Sequence, residues 1–214
     1  KAFLRGLAVV FSLTLPLMVV CAIYPKEVVT VLLGRKWIEC APIFQMLAPA
    51  QIVASVMNPM GWLLYATGRV KRSLLMAFVI APVVVVGMWA GRGWGPIGVA
   101  AGYSIAMLLL LFPLTTWAIH GTGITIQNFW RTLGIPMLAA AVAAAAGLGL
   151  KHLYAGQMPT LLFLTLGSAV VMLVFAGMLL LVLGQRGFYA DLLNQILHRK
   201  SKADPETPAQ SKPA

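Results

Sequence analysis

The sequence predicts an all-α integral membrane protein with six transmembrane helices. Three observations predict it. Of the 214 residues, 60% are hydrophobic and only 10% charged, where a soluble domain carries about 25% charged residues. Six apolar runs reach or approach the ~20 residues that a helix needs to cross ~30 Å of hydrocarbon. All five acidic residues (Glu27, Glu39, Asp191, Asp204, Glu206) and all sixteen lysines and arginines lie outside those runs.

The runs are 6–24, 43–67, 74–90, 97–119, 133–150 and 160–183. Proline or glycine punctuates each break: Pro25 and Pro42, Gly68, the 91–96 segment, Gly121, and 156–159, residues that favour turns over continued helix. The third run is short and interrupted by Pro82. The 139–146 run, nearly all alanine, gives a small-residue surface for close packing in the membrane. Residues 1–185 thus form one six-helix domain.

Two further segments are predicted outside the spans. Residues 27–39 are too short and too charged to cross, and suit an amphipathic helix on the outer interface with Trp37 at headgroup level. Residues 186–200 hold Leu192, Leu193, Ile196 and Leu197 at helical spacing and predict a second interfacial helix, on the cytoplasmic face. From Ser201 onward the composition, rich in Lys, Ser, Pro and Ala, predicts a disordered tail.

Charge sets orientation. Lys1, Arg5, Arg69, Lys71, Arg72, Arg131 and the five basic residues of the C-terminal segment fall on one side; Lys26, Arg35, Lys36, Arg92 and Lys151 fall on the other. The positive-inside rule assigns the richer side, with both ends of the chain, to the cytoplasm. The net charge of +11 is then topology signal and contact with anionic lipid headgroups. A nucleic-acid surface is disfavoured, because the basic residues are scattered over six loops and ends. The three histidines sit in separate connections or the tail and no Cys/His cluster has metal spacing, so no metal or cofactor is expected. Cys21 and Cys40 read as small hydrophobes in preference to a disulfide. The chain begins with Lys and shows no signal-peptide cleavage pattern, which suggests the C-terminal piece of a longer polypeptide.

One span differs from the others. Along 51–69, Gln51, Ser55, Asn58, Trp62, Tyr65 and Arg69 recur every three or four residues and share one face of a helical wheel. Val53, Val56, Met57, Met60 and Leu64 take the far side. Amides and hydroxyls facing lipid lack partners, so the row is expected to face other helices or a wet cavity. Two readings stay open, a helix–helix seam and a cavity wall. Pro49 and Pro59 are expected to kink the helix.

The order of these pieces resembles a known family. Its marks are the 25–37 segment Pro-Lys-Glu-Val-Val-Thr-Val-Leu-Leu-Gly-Arg-Lys-Trp, then Ala41-Pro42-Ile43-Phe44-Gln45-Met46-Leu47-Ala48-Pro49. Gly61-Trp62-Leu63-Leu64-Tyr65-Ala66-Thr67-Gly68-Arg69 follows, and later Trp94-Gly95-Pro96-Ile97-Gly98-Val99-Ala100. Together they are similar to the C-terminal half of bacterial polysaccharide flippases, the O-antigen and colanic-acid-type exporters of the multidrug/oligosaccharidyl-lipid/polysaccharide superfamily. The motifs cover roughly 6–118; beyond that the likeness is one of hydropathy.

The resemblance implies one lobe of a two-lobe alternating-access transporter in the bacterial inner membrane, the N-terminal lobe of the same polypeptide being its partner. It implies flipping of an undecaprenyl-diphosphate-linked oligosaccharide, with the row from Gln51 to Arg69 toward the glycan. Arg69, Lys71, Arg72 and Arg131 would meet the diphosphate, against the simpler reading that these four are topology anchors. No carboxylate lies within a span, so an ion-coupling acid would have to come from the other lobe. Rival expectations are a drug or lipid II exporter of the same superfamily, a non-transporting anchor subunit, and a membrane glycosyltransferase or acyltransferase. The last is weakened because Glu27, Glu39 and Asp191 have no histidine at a useful spacing.

Overall fold

The computed structural model describes residues 2–122, 125–154 and 159–179, and every regular element among them is helical. Helix α1 is Ala2–Ile23 and the short α2 is Pro25–Leu32. After a 3₁₀ turn at Arg35–Cys40 come α3 (Ala41–Ala66) and α4 (Val70–Gly91). A second 3₁₀ turn, Arg92–Trp94, leads into α5 (Gly95–Ile119). Helices α6 (Ile126–Tyr154) and α7 (Thr160–Gly177) complete the described chain. The expected interfacial helix at 186–200, the tail from 201 and the end of the sixth run lie outside the described residues.

The shortest of the long helices, α7, has 18 residues, or ~27 Å at 1.5 Å per residue. The six expected spans fall within α1, α3, α4, α5, α6 and α7, and several of these helices extend beyond them. Helix α1 begins four residues before the expected span, α4 begins at Val70 in place of 74, and α6 begins at Ile126 in place of 133. Hydropathy marks only the hydrocarbon-facing part, whereas backbone hydrogen bonding continues into polar surroundings. Lys71 and Arg72 thus sit in the first turn of α4 and Arg131 in the second turn of α6, not in loops. The single amphipathic helix expected over 27–39 is likewise two pieces. Gly34, at φ 90°, breaks the chain with a conformation that other residues rarely adopt.

Helix α3 runs unbroken through Pro49 and Pro59. Each proline withholds a backbone donor from the carbonyl four residues earlier, leaving those of Gln45 and Ser55 without their helical partner. Helix α3 packs on α1 and α5, α4 on α5, and α6 on both α1 and α7. The core runs through the middle of this set: Leu7, Phe11 and Leu15 of α1 meet Met60 and Leu64 of α3, Leu114 of α5 and Phe129 and Leu133 of α6. Within the 139–146 run, Ala139, Ala140 and Ala143 are buried.

Two contacts hold the bundle at close range. Gly87 and Gly91 of α4 lie against Gly102 and Gly98 of α5; a Cβ on Gly91 would stand 2.0 Å from the Gly98 carbonyl oxygen. Both helices carry glycines four apart, which lets their backbones touch, the packing mode that lipid-embedded helices favour. At the other end of α1, Tyr24 is fully buried and its hydroxyl donates to the Gly147 carbonyl at 2.8 Å. Its ring meets Phe163 edge-on at 5.5 Å and sits where any Cβ on Gly167 would be, 2.6 Å away.

Two stability outcomes follow. Tyr24→Phe keeps the ring and loses one hydrogen bond, so it costs about 1 kcal/mol, while Tyr24→Ala costs about 3–5 kcal/mol through the cavity it leaves. Gly98→Val drives a side chain into the α4 backbone and lowers the thermal midpoint more than Gly93→Val, since Gly93 has open space around it. Thermal unfolding in detergent measures all four.

Candidate functional site

Helix α3 is amphipathic in a sense opposite to that of a lipid-facing helix. Val53, Val56, Met60 and Leu64 are buried in the bundle. Gln51, Ser55, Asn58, Trp62 and Tyr65 line an open cleft of about 590 Å³. Helix α3 is its floor. One wall is α1, with Val10, Thr14 and Met18; the other is α4, with Ser73, Met76, Ala77 and Ile80. Met57 and Leu64, placed by the wheel on the far side, also line the cleft.

The side chains differ in what they leave free. Ser55 Oγ donates to the Ile52 carbonyl at 2.6 Å and Thr14 Oγ1 to Val10 at 2.8 Å, so both hydroxyl protons are spent within their own helices. The amides of Gln51 and Asn58 are exposed and make no hydrogen bond to other described residues. Trp62 and Tyr65 are 66% and 58% exposed, although each is large and aromatic. No ionisable group other than the Tyr65 phenol lines the cleft. What the cleft offers is therefore neutral: amide donors and acceptors, a phenol, and two flat ring faces. Such a surface suits a neutral polyhydroxylated solute better than an ion.

Gln51 has a second neighbourhood. Toward the start of α3 a hollow of about 420 Å³, lined by Ile43, Leu47, Met88, Val99 and Tyr103, shares Gln51 with the cleft. The two hollows lie along one face of α3, with this amide at their junction.

Arg69 leaves the row. Helix α3 ends at Ala66 and Gly68, at φ 70°, turns the chain, so the wheel angle that put Arg69 beside Tyr65 no longer applies. Its guanidinium instead donates to the carbonyls of His120, at 2.7 Å, and Gly121. Arg72 reaches the same helix end, donating to His120 at 2.6 Å and Trp117 at 3.2 Å. Trp117 lies in the last turn of α5 and His120 and Gly121 just beyond its end, where helix carbonyls lack later amides. Gly121 both adopts φ 75° and leaves room for the Arg69 guanidinium, 3.0 Å from where a Cβ would lie. Two of the four candidate diphosphate residues thus close α5, while Lys71 and Arg131 are exposed and make no hydrogen bond to other described residues. Sequence reasoning missed Thr14, Met18 and Ser73, isolated positions with no periodic signal that only the packing of α1 and α4 brings to α3.

The chain is 30% identical over 111 residues to the lipopolysaccharide biosynthesis protein WzxC of Escherichia coli K12. It is 28% identical over 108 residues to an uncharacterized membrane protein in the cps region of Klebsiella pneumoniae. Each match takes in 50% of this chain but spans only 22% of the relative. Both matches support the resemblance to bacterial polysaccharide flippases. No family model and no solved structure matches the chain.

The helix-closing role of the arginines has a direct readout. Arg69→Ala removes two hydrogen bonds to exposed carbonyls just beyond α5 and costs about 1 kcal/mol, with faster amide exchange over 116–122; Lys71→Ala changes neither. Equal effects of the two substitutions on exchange would contradict it.

Proposed function

We propose that this chain is one half of a carrier for lipid-linked oligosaccharide in the bacterial inner membrane. The cleft on α3 forms its share of the glycan path. The observation that carries the reading is the inverted amphipathicity of α3: the polar or aromatic side chains of Gln51, Asn58, Trp62 and Tyr65 stay exposed while Val53, Val56 and Met60 are packed away. Two large rings and two unpaired amides have no reason to face acyl chains, which cannot bond them, but they suit a sugar, whose hydroxyls and C–H faces meet amides and aromatic rings. The matches to a lipopolysaccharide biosynthesis protein and a cps-region membrane protein support the same substrate class.

In this reading the second lobe lies in the rest of the polypeptide and closes over the cleft, and the pair opens alternately to each side. Both ends of the chain are cytoplasmic by charge. The undecaprenyl tail stays in lipid and the diphosphate meets Lys71 and Arg131, whose charges are not committed to helix ends; the arginines at the end of α5 shape the mouth. The neutral cleft favours glycan over a cationic drug, which would seek a carboxylate here. It likewise offers no general base for a transferase.

Cysteine labelling separates a path from a seam. In a Cys21→Ala/Cys40→Ala background of the full-length polypeptide, Asn58→Cys and Trp62→Cys are expected to react with a membrane-impermeant maleimide, and Val56→Cys is not. In cells, Asn58→Leu and Trp62→Ala reduce surface polysaccharide about tenfold or more with normal protein levels. Unchanged export with both variants, together with no labelling, would return the row to a dry helix seam.

A further inference from the structure

A second hollow lies outside the cleft and shares no residue with it. It runs between α4 and α5 and measures about 600 Å³, with Val83, Val86 and Ala90 on one side, Ala101 and Ile105 on the other, and the crossing glycines at its base. No charged, hydroxyl or amide side chain lines it. The glycine pairs explain the shape: they bring two backbones together and leave nothing to fill the surface above. Val86, Ile105 and Leu109, at its rim, are 63%, 57% and 69% exposed.

Its length and its ends identify an occupant. From Val83 to Gly91, and from Ile97 to Leu109, the lining covers ~12 and ~18 Å of helix at 1.5 Å per residue. That is half of the ~30 Å hydrocarbon thickness, one leaflet. The groove starts at the turn between the helices, where Trp94 is 80% exposed, and ends partway along both, at Val83 of α4 and Leu109 of α5. Arg92 lies in the same turn, two residues before Trp94 and next to Gly91 of the lining. It is exposed, its guanidinium carbon lies 5.1 Å from the centre of the Trp89 ring, and no described carboxylate pairs with it. A cation and an aromatic ring at the head of a one-leaflet apolar groove match a phosphate followed by a hydrocarbon chain.

We infer that this groove seats one acyl chain of a bilayer phospholipid, with the lipid phosphate on Arg92. Filling it with hydrocarbon restores the dispersion contacts that bare glycine backbone lacks and braces the α4–α5 crossing, which also positions one wall of the cleft. The site does not depend on what the cleft carries.

Native mass spectrometry of the full-length protein in mild detergent, titrated with dioleoyl phosphatidylglycerol, tests this. One lipid adduct is expected to survive activation that strips the others. Ala90→Leu with Ala101→Leu, which fills the groove, and Arg92→Gln, which removes the charge, each lower that adduct about tenfold. Leu173→Phe, on the exposed side of α7, leaves it unchanged. Retention of the adduct in both groove variants overturns the proposal, as does equal retention of dihexanoyl phosphatidylglycerol, which would show headgroup binding alone. A change of oligomeric state without lipid loss would assign the groove to a second copy and also overturn it. If the leucine pair fails to fold, by circular dichroism and gel filtration, Arg92→Gln decides alone.

Discussion

The end of a membrane helix carries carbonyls that no later amide can reach, and near hydrocarbon there is little water to take their place. Two such ends organise this molecule. At the end of α1, Gln45 of α3 donates to the Ala22 carbonyl at 3.0 Å, and Lys151 of α6 donates to Ile23. At the end of α5, Arg69 and Arg72 serve Trp117, His120 and Gly121. In each case the donor comes from a different helix, so satisfying a local backbone demand also fixes tertiary structure. The basic residues that set orientation are thereby also the ties between helices. Tyr24, directly after α1, adds its own bond to Gly147, and Lys151 stands 5.9 Å from the centre of its ring.

With those ends tied, α3 is free to present a polar face. Its aliphatic residues supply the core against α1 and α5, and Ser104 of α5 donates to the Met46 carbonyl, fastening the two helices above the cleft. Helix α4 stands away from α1 because its partner is α5, held at backbone contact by glycine. The cleft is the space this arrangement leaves: α3 as floor, α1 and α4 as walls that scarcely touch each other. The fold and the open face are one solution to the same packing problem.

The sequence made some of this legible and some not. Helix number, approximate length and the breaks at Pro25, Gly68, Gly95 and Gly121 follow from hydropathy and turn chemistry, which act locally. The row from Gln51 to Tyr65 was legible because helical periodicity does not depend on partners. Helices α1, α4 and α6 start before their apolar runs, a difference hydropathy cannot show, since it falls where lipid ends, not where backbone hydrogen bonds end. The four-residue spacing of the glycines at 87 and 91 and at 98 and 102 is visible in the sequence, but which helix each pair faces is not.

By itself, then, the sequence determined an all-α membrane protein and the polar face of its third helix, because length, apolarity and a 3.6-residue period are properties of a single segment. Only the tertiary structure decided which side chains share the cleft, that Arg69 belongs to the end of α5 and not to the row, and that the glycines of α4 and α5 face one another. Those outcomes depend on the distance and rotation between helices. Both are set by donors and close contacts far apart in the chain, such as Lys151 with Ile23 and Gly91 with Gly98, and no local pattern records them.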